Sequence, residues 1–319
     1  MGNVWNVRSR GRRGGGFGRT VAGLTVAVAV LTGCGPSVLD ESADTATVVV
    51  GAGDGVASEL LARIYAGALA GSGTRTELRT GLGDRAGYLA ALDAAEVTLV
   101  PDYTGRLLRY FAPAAPDTDA EDVFEALARS LPEDLSITDY AAAQDRSMLV
   151  VSDATAERLG TTELTGILGR CGELTVTVTA GFETNDGLRD LAERGCVPGR
   201  VEEGDGDVAL RAATQEGSAA ALTTTSVVAR DAPGVALEDA PDRAPGTGPE
   251  DGTVTEPPVF TAQNVVPVFR KHALGERQLE ALSLVAGELT TADLAEMLGR
   301  IDGGEDSAAV AQAWLTEHV

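Results

Sequence analysis

The sequence predicts an α/β protein in which mainly parallel sheets carry helices on both faces. Three observations predict it. Short β-branched runs such as Thr47–Gly51 and Leu174–Thr179 have the length and burial pattern of core strands. Amphipathic stretches of helical period separate them, and the two kinds alternate along most of the chain. The apolar content, 44%, is that of an ordinary globular protein, and the length suits one large or two medium domains.

The first stretch opens with the strand Thr47–Gly51. Ser58 is the expected cap of a helix to Ala70, with Leu60, Leu61, Ile64, Ala68 and Leu69 on one face. Arg75–Arg79 alternates like a strand, Tyr88–Ala94 is helical, and Val97–Val100 is a strand that should end at Pro101. Gly105–Phe111 reads as a short helix and Ala112–Pro116 as a loop. Thr118-Asp119-Ala120-Glu121 has the form of a capping box that opens a helix to Leu131.

The pattern then repeats. Met148–Ser152, Leu174–Thr179 and Ala219–Thr224 are strands, and Leu164–Arg170, Asp186–Arg194 and Asp207–Gln215 are helices. Asp239–Pro258, rich in Pro, Gly and acids, reads as a long loop. Val265–Phe269 is the last strand. The helices Gln278–Gly287, Ala292–Arg300 and Ser307–Leu315 finish the chain, the second capped by Thr290 or Thr291 and the third by Ser307.

The N-terminus has a separate character. Arg8, Arg10, Arg12, Arg13 and Arg19 precede the apolar run Val21–Leu31, with no acid among them. A basic start, a short apolar core and small residues before a cut make a secretory signal, and the run is too short for the ~20 residues of a membrane span. Arg12-Arg13 hints at a twin-arginine signal, although the glycines that follow fit it poorly. Leu31-Thr32-Gly33-Cys34 resembles the lipobox of bacterial lipoproteins, which implies cleavage before Cys34 and a diacylglycerol thioether on it. Residues 1–33 are thus the signal and 34–45 a polar tether to the outer face of the cell membrane.

The formal charge of −23 becomes −23 − 5 = −28 once the signal arginines are removed. A surface this acidic repels phosphate backbones, so nucleic-acid binding is not expected. Beyond Cys34 only Cys171 and Cys196 remain, and an even pair in an oxidising compartment favours a disulfide over two buried thiols. Two cysteines and the distant His272 and His318 give no metal-site spacing. Gly51-Ala52-Gly53-Asp54-Gly55 sits where a dinucleotide fingerprint would, but its third glycine would be Val56, so no cofactor is expected and the segment reads as a ligand loop facing a cleft. No nucleophile–base pair, G-x-S-x-G elbow, H-E-x-x-H helix or phosphate loop occurs, so neither an enzyme nor an ATPase is expected.

Several segments together resemble the substrate-binding proteins of ABC importers for quaternary amines, the osmoprotectant group of glycine betaine, choline and carnitine. The most specific is Pro101-Asp102-Tyr103-Thr104-Gly105, close to that family's Pro-Glu-Tyr-Thr-Gly. Val48-Val49-Val50-Gly51 with the helix carrying Ile64-Tyr65-Ala66, Leu82-Gly83, Asp186-Gly187-Leu188, Asn264–Arg270 and the helices around Leu294 and Trp314 also match. The resemblance spans nearly all of 46–319. It implies two hinged lobes that close on a solute, lobe one being 46–144 and 228–319 and lobe two 145–227, with a permease and an ATPase as partners.

The resemblance also implies a cage of aromatic rings around a trimethylammonium group. Tyr103 falls on one cage position and Asp145 on a polar site residue, with Asp54 in the first loop beside them. Elsewhere the rings are gone. Gly53 and Gly55 replace a lysine and a phenylalanine, Ser147 replaces a tyrosine, Arg106 replaces a threonine, and Arg211 and Thr225 stand where further aromatics are expected. Residues 205–230 contain no aromatic at all. The expectation is therefore a lipid-anchored receptor with an eroded cage and a more polar, even anionic, ligand met by Arg106 and Arg211. The alternative is a non-transporting surface sensor or interaction protein on the same fold.

Overall fold

The structure is a computed structural model that describes residues 47–242 and 256–319. Cys34, the signal and tether, and most of the Asp239–Pro258 segment lie outside the described residues. The first half runs β1 (Val48–Gly51), α1 (Val56–Gly71), β2 (Thr76–Arg79), α2 (Arg85–Asp93), β3 (Leu99–Tyr103), α3 (Thr104–Phe111), α4 (Ala120–Ser130) and β4 (Leu135–Ile137). The second runs β5 (Ser147–Val151), α5 (Asp153–Leu159), a 3-10 helix (Thr165–Glu173), β6 (Thr175–Val178), α6 (Ala180–Thr184), α7 (Gly187–Glu193), β7 (Arg200–Glu203), α8 (Gly206–Ala212), β8 (Ser218–Thr223), α9 (Thr224–Ala229) and β9 (Val235–Ala236). The chain returns through β10 (Val265–Arg270) to α10 (Glu276–Glu288), α11 (Thr291–Asp302) and α12 (Ser307–His318).

These strands form two five-stranded sheets, ordered β2-β1-β3-β10-β4 and β7-β6-β8-β5-β9. Each is mainly parallel as expected, four strands running one way, but mixed, with one inner strand reversed. β1 pairs parallel with β2 and β3, while β10 pairs antiparallel with β3 and β4. The second sheet matches, with β6 parallel to β7 and β8, and β5 antiparallel to β8 and β9. The reason is the double crossing. β5 and β10 each enter their sheet from the other lobe, so they meet the βαβ-wound strands head to tail. Apolar clusters fill both faces of each sheet, with Leu60, Ile64 and Trp314 on one side of the first and Leu92, Leu107 and Val123 on the other.

The crossings are two antiparallel segments. Ala141 N–H donates to Val265 O (2.8 Å), Val265 N–H to Ala143 O (2.9 Å) and Asp145 N–H to Gln263 O (3.0 Å). The first crossing runs through residues 141–145. The second does not fall at 227/228, because β9 pairs with β5 and because Leu237, Val259 and Phe260 belong to the second lobe's core. The described residues 235–237 and 259–261 therefore belong with lobe two, Thr261 N–H being bound to Asp190 of α7.

Local corrections have local causes. β3 does not stop at Pro101 but continues to Tyr103, with Pro101 directly opposite Pro267 of β10. The ladder bonds fall at Arg270 N–H to Thr98 O and Thr104 N–H to Asn264 O, so by alternation Pro101 and Pro267 form a non-hydrogen-bonded pair and neither removes a bond between these strands. Helix α1 starts before Ser58, whose Oγ instead accepts from Gly53 N–H (2.9 Å). Asp119, not Thr118, caps α4, since Thr118 Oγ1 donates to Pro258 O (2.7 Å). Asp306, not Ser307, caps α12. Cys171 and Cys196 are joined in a disulfide that ties the 3-10 helix to the end of α7.

Candidate functional site

In the first sheet the chain leaves β1 toward β2 on one side and reaches β3 on the other. The strand order thus reverses between β1 and β3, and ligands bind outside the carboxyl ends of strands at such switch points. β1 and β3 pair only at Val50–Leu99 before they part. The second sheet has its own switch point between β6 and β8. A cavity of about 600 Å3 opens at the first, lined by the Gly53–Gly55 loop, the start of α1, Tyr88, the Pro101–Tyr103 end of β3, Arg106 and Tyr110, and closed by Thr184 of lobe two.

One wall is a buried charge network. Asp102, 4% exposed, takes a bidentate bond from Arg85 (2.8 and 3.1 Å), a bond from the Tyr88 hydroxyl (2.5 Å) and one from Tyr103 N–H (2.8 Å). Burial, and then the Asp102 charge, push the Tyr88 hydroxyl well above the usual phenol range. Burial opposes the Arg85 charge, yet its hydrogen bond and attraction to Asp102 outweigh that and bind its proton more tightly.

Tyr103 ends β3 and is 4% exposed. Its ring faces the Arg106 guanidinium, whose carbon lies 4.2 Å from the ring centroid. Arg106 reaches across to lobe two, giving Nε–H to Asn185 Oδ1 (2.6 Å) and Nη2–H to Asp145 Oδ2 (3.1 Å). Asp145 in turn accepts from the Thr225 hydroxyl, and Asn185 Nδ2 donates to Asp145 O (2.5 Å). Burial, and then the Asp145 carboxylate, raise the Tyr103 hydroxyl far above its ordinary pKa. That hydroxyl is buried and has no hydrogen-bond partner among the described residues.

One turn on, Arg109 of α3 is also buried and also reaches lobe two. It donates to Asp190 Oδ1 (3.1 Å), Thr261 Oγ1 (3.1 Å) and Ala115 O (2.5 Å). Gly105 is what lets α3 come this close. A Cβ there would lie 2.4 Å from Ala262 O and 2.6 Å from Gln263 Nε2, so only glycine fits against the second crossing segment.

The structure brings Tyr103, Asp54 and Arg106 to the cavity and Asp145 to Arg106. Asp54 is exposed at its mouth and accepts from Gly83 N–H (3.1 Å). Ser147 is buried at the start of β5 and lines a different cavity behind the first crossing. Arg211 is exposed on α8 and does not line the Tyr103 cavity, so the two arginines expected to share an anion are not brought together. Thr225 is present, but as a partner of Asp145. Sequence reasoning missed Tyr88, Tyr110, Asn185 and Gln263. Signals existed for two of them, since Tyr110 is four residues beyond Arg106 on one helix and Asn185 immediately precedes Asp186-Gly187-Leu188.

Two α/β lobes, two crossing segments and a cavity at the switch point of the first sheet define a two-lobed binding-protein fold. The family model for the substrate-binding domain of the ABC-type glycine betaine transport system matches residues 46–317, and the chain belongs to that family. Its fold is similar to that of a glycine betaine/carnitine/choline ABC transporter protein, with 16% identity and TM-score 0.65 over 85% of this chain and 98% of the other. It is also similar to the apo form of YehZ from Escherichia coli (19% identity, TM-score 0.61, 86% and 99% covered). A choline-binding protein of an ABC transporter, solved with choline, shares 16% identity at TM-score 0.52 over 87% and 89%. Among the curated proteins no sequence matches.

Proposed function

We propose that the chain is the solute receptor of an ABC importer, tethered outside the cell membrane through a lipid on Cys34, and that its ligand is a polar solute rather than a bare quaternary ammonium. Family membership supports delivery of a solute to a permease and its ATPase. The Tyr103 hydroxyl carries the ligand class. Tyr103 lines the cavity and its hydroxyl is buried with no hydrogen-bond partner among the described residues, and such a group costs about 1–3 kcal/mol until something bonds to it. A trimethylammonium group has neither N–H nor lone pair to offer. A neutral polar or N–H-bearing solute has, and the exposed Asp54 and Asp84 at the mouth favour hydrogen-bond donors over anions. In this reading Tyr103 and Asp54 touch the solute, Asp145 acts through Arg106, and Ser147 and Arg211 take no direct part.

Thermal unfolding of the purified chain against a panel of polyols, amino acids, polyamines, choline, carnitine and glycine betaine tests it. Ligand at about 100 times its dissociation constant adds roughly 2.7 kcal/mol, a rise of about 5–10 °C for a chain of this size. A polar solute is expected to give that rise and choline none; a rise with choline or glycine betaine alone overturns the ligand class. Partition of the membrane-processed chain into a detergent phase, lost in Cys34→Ala, tests the anchor. The lobe-to-lobe ion pairs favour a second reading, a non-transporting sensor, and stimulation of a partner ATPase by the loaded receptor separates the two.

A further inference from the structure

An aromatic face, a carboxylate and a carboxamide oxygen converge at one point of the cleft, from Tyr103 of lobe one, Asp145 at the first crossing and Asn185 of lobe two. Each attracts a cation. The ring does so through its quadrupole, the carboxylate by charge and the amide oxygen by hydrogen bonding. The cation they share is the chain's own Arg106, whose side chain, like that of Asp145, is 12% exposed. Its backbone is fixed as well, because Arg106 N–H donates to Gln263 Oε1 (2.9 Å) on the second crossing. One residue of lobe one is thereby bonded to both crossings and to lobe two.

We infer that Arg106 is the resident occupant of a cation seat, and so a specificity-determining residue: it refuses free cations at Tyr103 and supplies the lobe-bridging contacts that a bound cation would otherwise make. The inference rests on the receptor reading for the cleft being the solute site. The network has the right chemistry for this role. Planar guanidinium stacks on a ring and bonds sideways at once, which a lysine ammonium cannot do. Asp145 is held in place by Thr225 and by its own N–H to Gln263 O, so the seat is organised independently of its occupant. Solute then enters beside Arg106, along the Tyr88, Tyr110 and Asp54 side of the cavity, rather than over the Tyr103 ring.

The experiment vacates the seat and offers simple cations. Calorimetric titration of Arg106→Ala with methylguanidinium and with choline should show saturable binding, roughly tenfold or more tighter than to the unaltered chain. It should disappear in Arg106→Ala/Asp145→Asn. Small-angle scattering should show Arg106→Ala more open than the unaltered chain and closed again with methylguanidinium. A folded Arg106→Ala that binds neither cation overturns the inference. The unaltered chain supplies a check that needs no variant at Arg106, since saturable choline binding to it that Asp145→Asn abolishes also overturns the inference. A polar-solute panel that fails on the unaltered chain would instead sink the receptor's ligand class, a separate readout.

Discussion

The Arg109–Asp190 pair offers the sharpest test of the energetics, because its two side chains are 7% and 1% exposed and belong to different lobes. Asp190→Ala removes the carboxylate that balances Arg109. The guanidinium is left with Ala115 O and Thr261 Oγ1, two neutral acceptors, and Thr261 N–H loses its acceptor. Breaking a buried pair from one side costs about 3–5 kcal/mol, since the remaining charge stays desolvated. At about 2–4 °C per kcal/mol for a chain of this size, the melting temperature should fall by roughly 6–20 °C. Arg109→Met/Asp190→Leu should recover most of that loss, because well-packed apolar replacements of a buried pair are often neutral or stabilising. Acid titration gives an independent reading. Burial raises the Asp190 pKa despite Thr261 and Arg109, so ionising it costs folded-state stability. Its contribution is fully present below the unfolded pKa and is lost as pH rises through the folded value, a slope that Asp190→Asn should remove. Denaturant melts of the three variants check the whole scheme. A single-variant loss under about 1 kcal/mol, or a double variant as damaged as the single, would refute the reasoning.

Three further outcomes follow from the same contacts. Cys171→Ser/Cys196→Ser opens a loop of sequence separation 25 and should lower stability by about 3–4 kcal/mol in the chain-entropy form, measured by denaturant melts with and without reductant; equal stabilities would show the bridge contributes nothing. Gly105→Ala drives a Cβ against the Ala262 carbonyl at 2.4 Å and should cost about 1–3 kcal/mol, where an unchanged melt would mean the second crossing yields freely. Glu59 bonds Arg63 and Ser307, and those hydrogen bonds hold its carboxyl below the usual range, so its stabilisation is present above the unfolded pKa and lost as pH falls through the folded one. The gap between the unaltered chain and Glu59→Gln should therefore close on acidification, and a gap constant from pH 7 to pH 3 would contradict it.

The buried centre of each sheet was legible in the sequence and three of its four edges were not. β1, β3, β5, β6, β8 and β10 carry continuous apolar or β-branched runs because both their faces are covered, and the runs locate them within a few residues. β4, β7 and β9 are edge strands of two to four residues. Every residue of β7 is exposed, so no burial pattern existed to read. The late second crossing was missed for a related reason, since β9 is too short to announce that lobe two continues past 227. At the candidate site, Tyr103, Asp54, Asp145 and Arg106 stand out in the sequence from their places in or near matched motifs, and three of them line one cavity. What could not be read was the direction of the Arg106 side chain. An arginine beside an aromatic cage position looks like a group waiting for an anion, and only the three-dimensional meeting of Asp145, Asn185 and Tyr103 shows its charge already answered.

That contrast explains why the clearest signature in the chain locates the family yet leaves the ligand undetermined. Pro101 sits in a non-hydrogen-bonded pair where strand and cleft part company. Asp102 accepts four bonds inside lobe one. Thr104 Oγ1 accepts from Asn264 N–H (3.1 Å), and Gly105 is demanded by the carbonyl of Ala262. Pro101, Thr104 and Gly105 thus secure the junction between β3, α3 and the second crossing, Asp102 ties β3 to Arg85 and Tyr88, and Pro101, Asp102 and Tyr103 line the cavity. A Cβ at Gly105 would meet the Ala262 carbonyl whatever the solute, so the packing there is constrained independently of the ligand. The side chain of the residue that follows the motif instead reaches across to Asn185 and Asp145. A change of side chain there can therefore alter what the cleft accepts while the fold beneath stays the same.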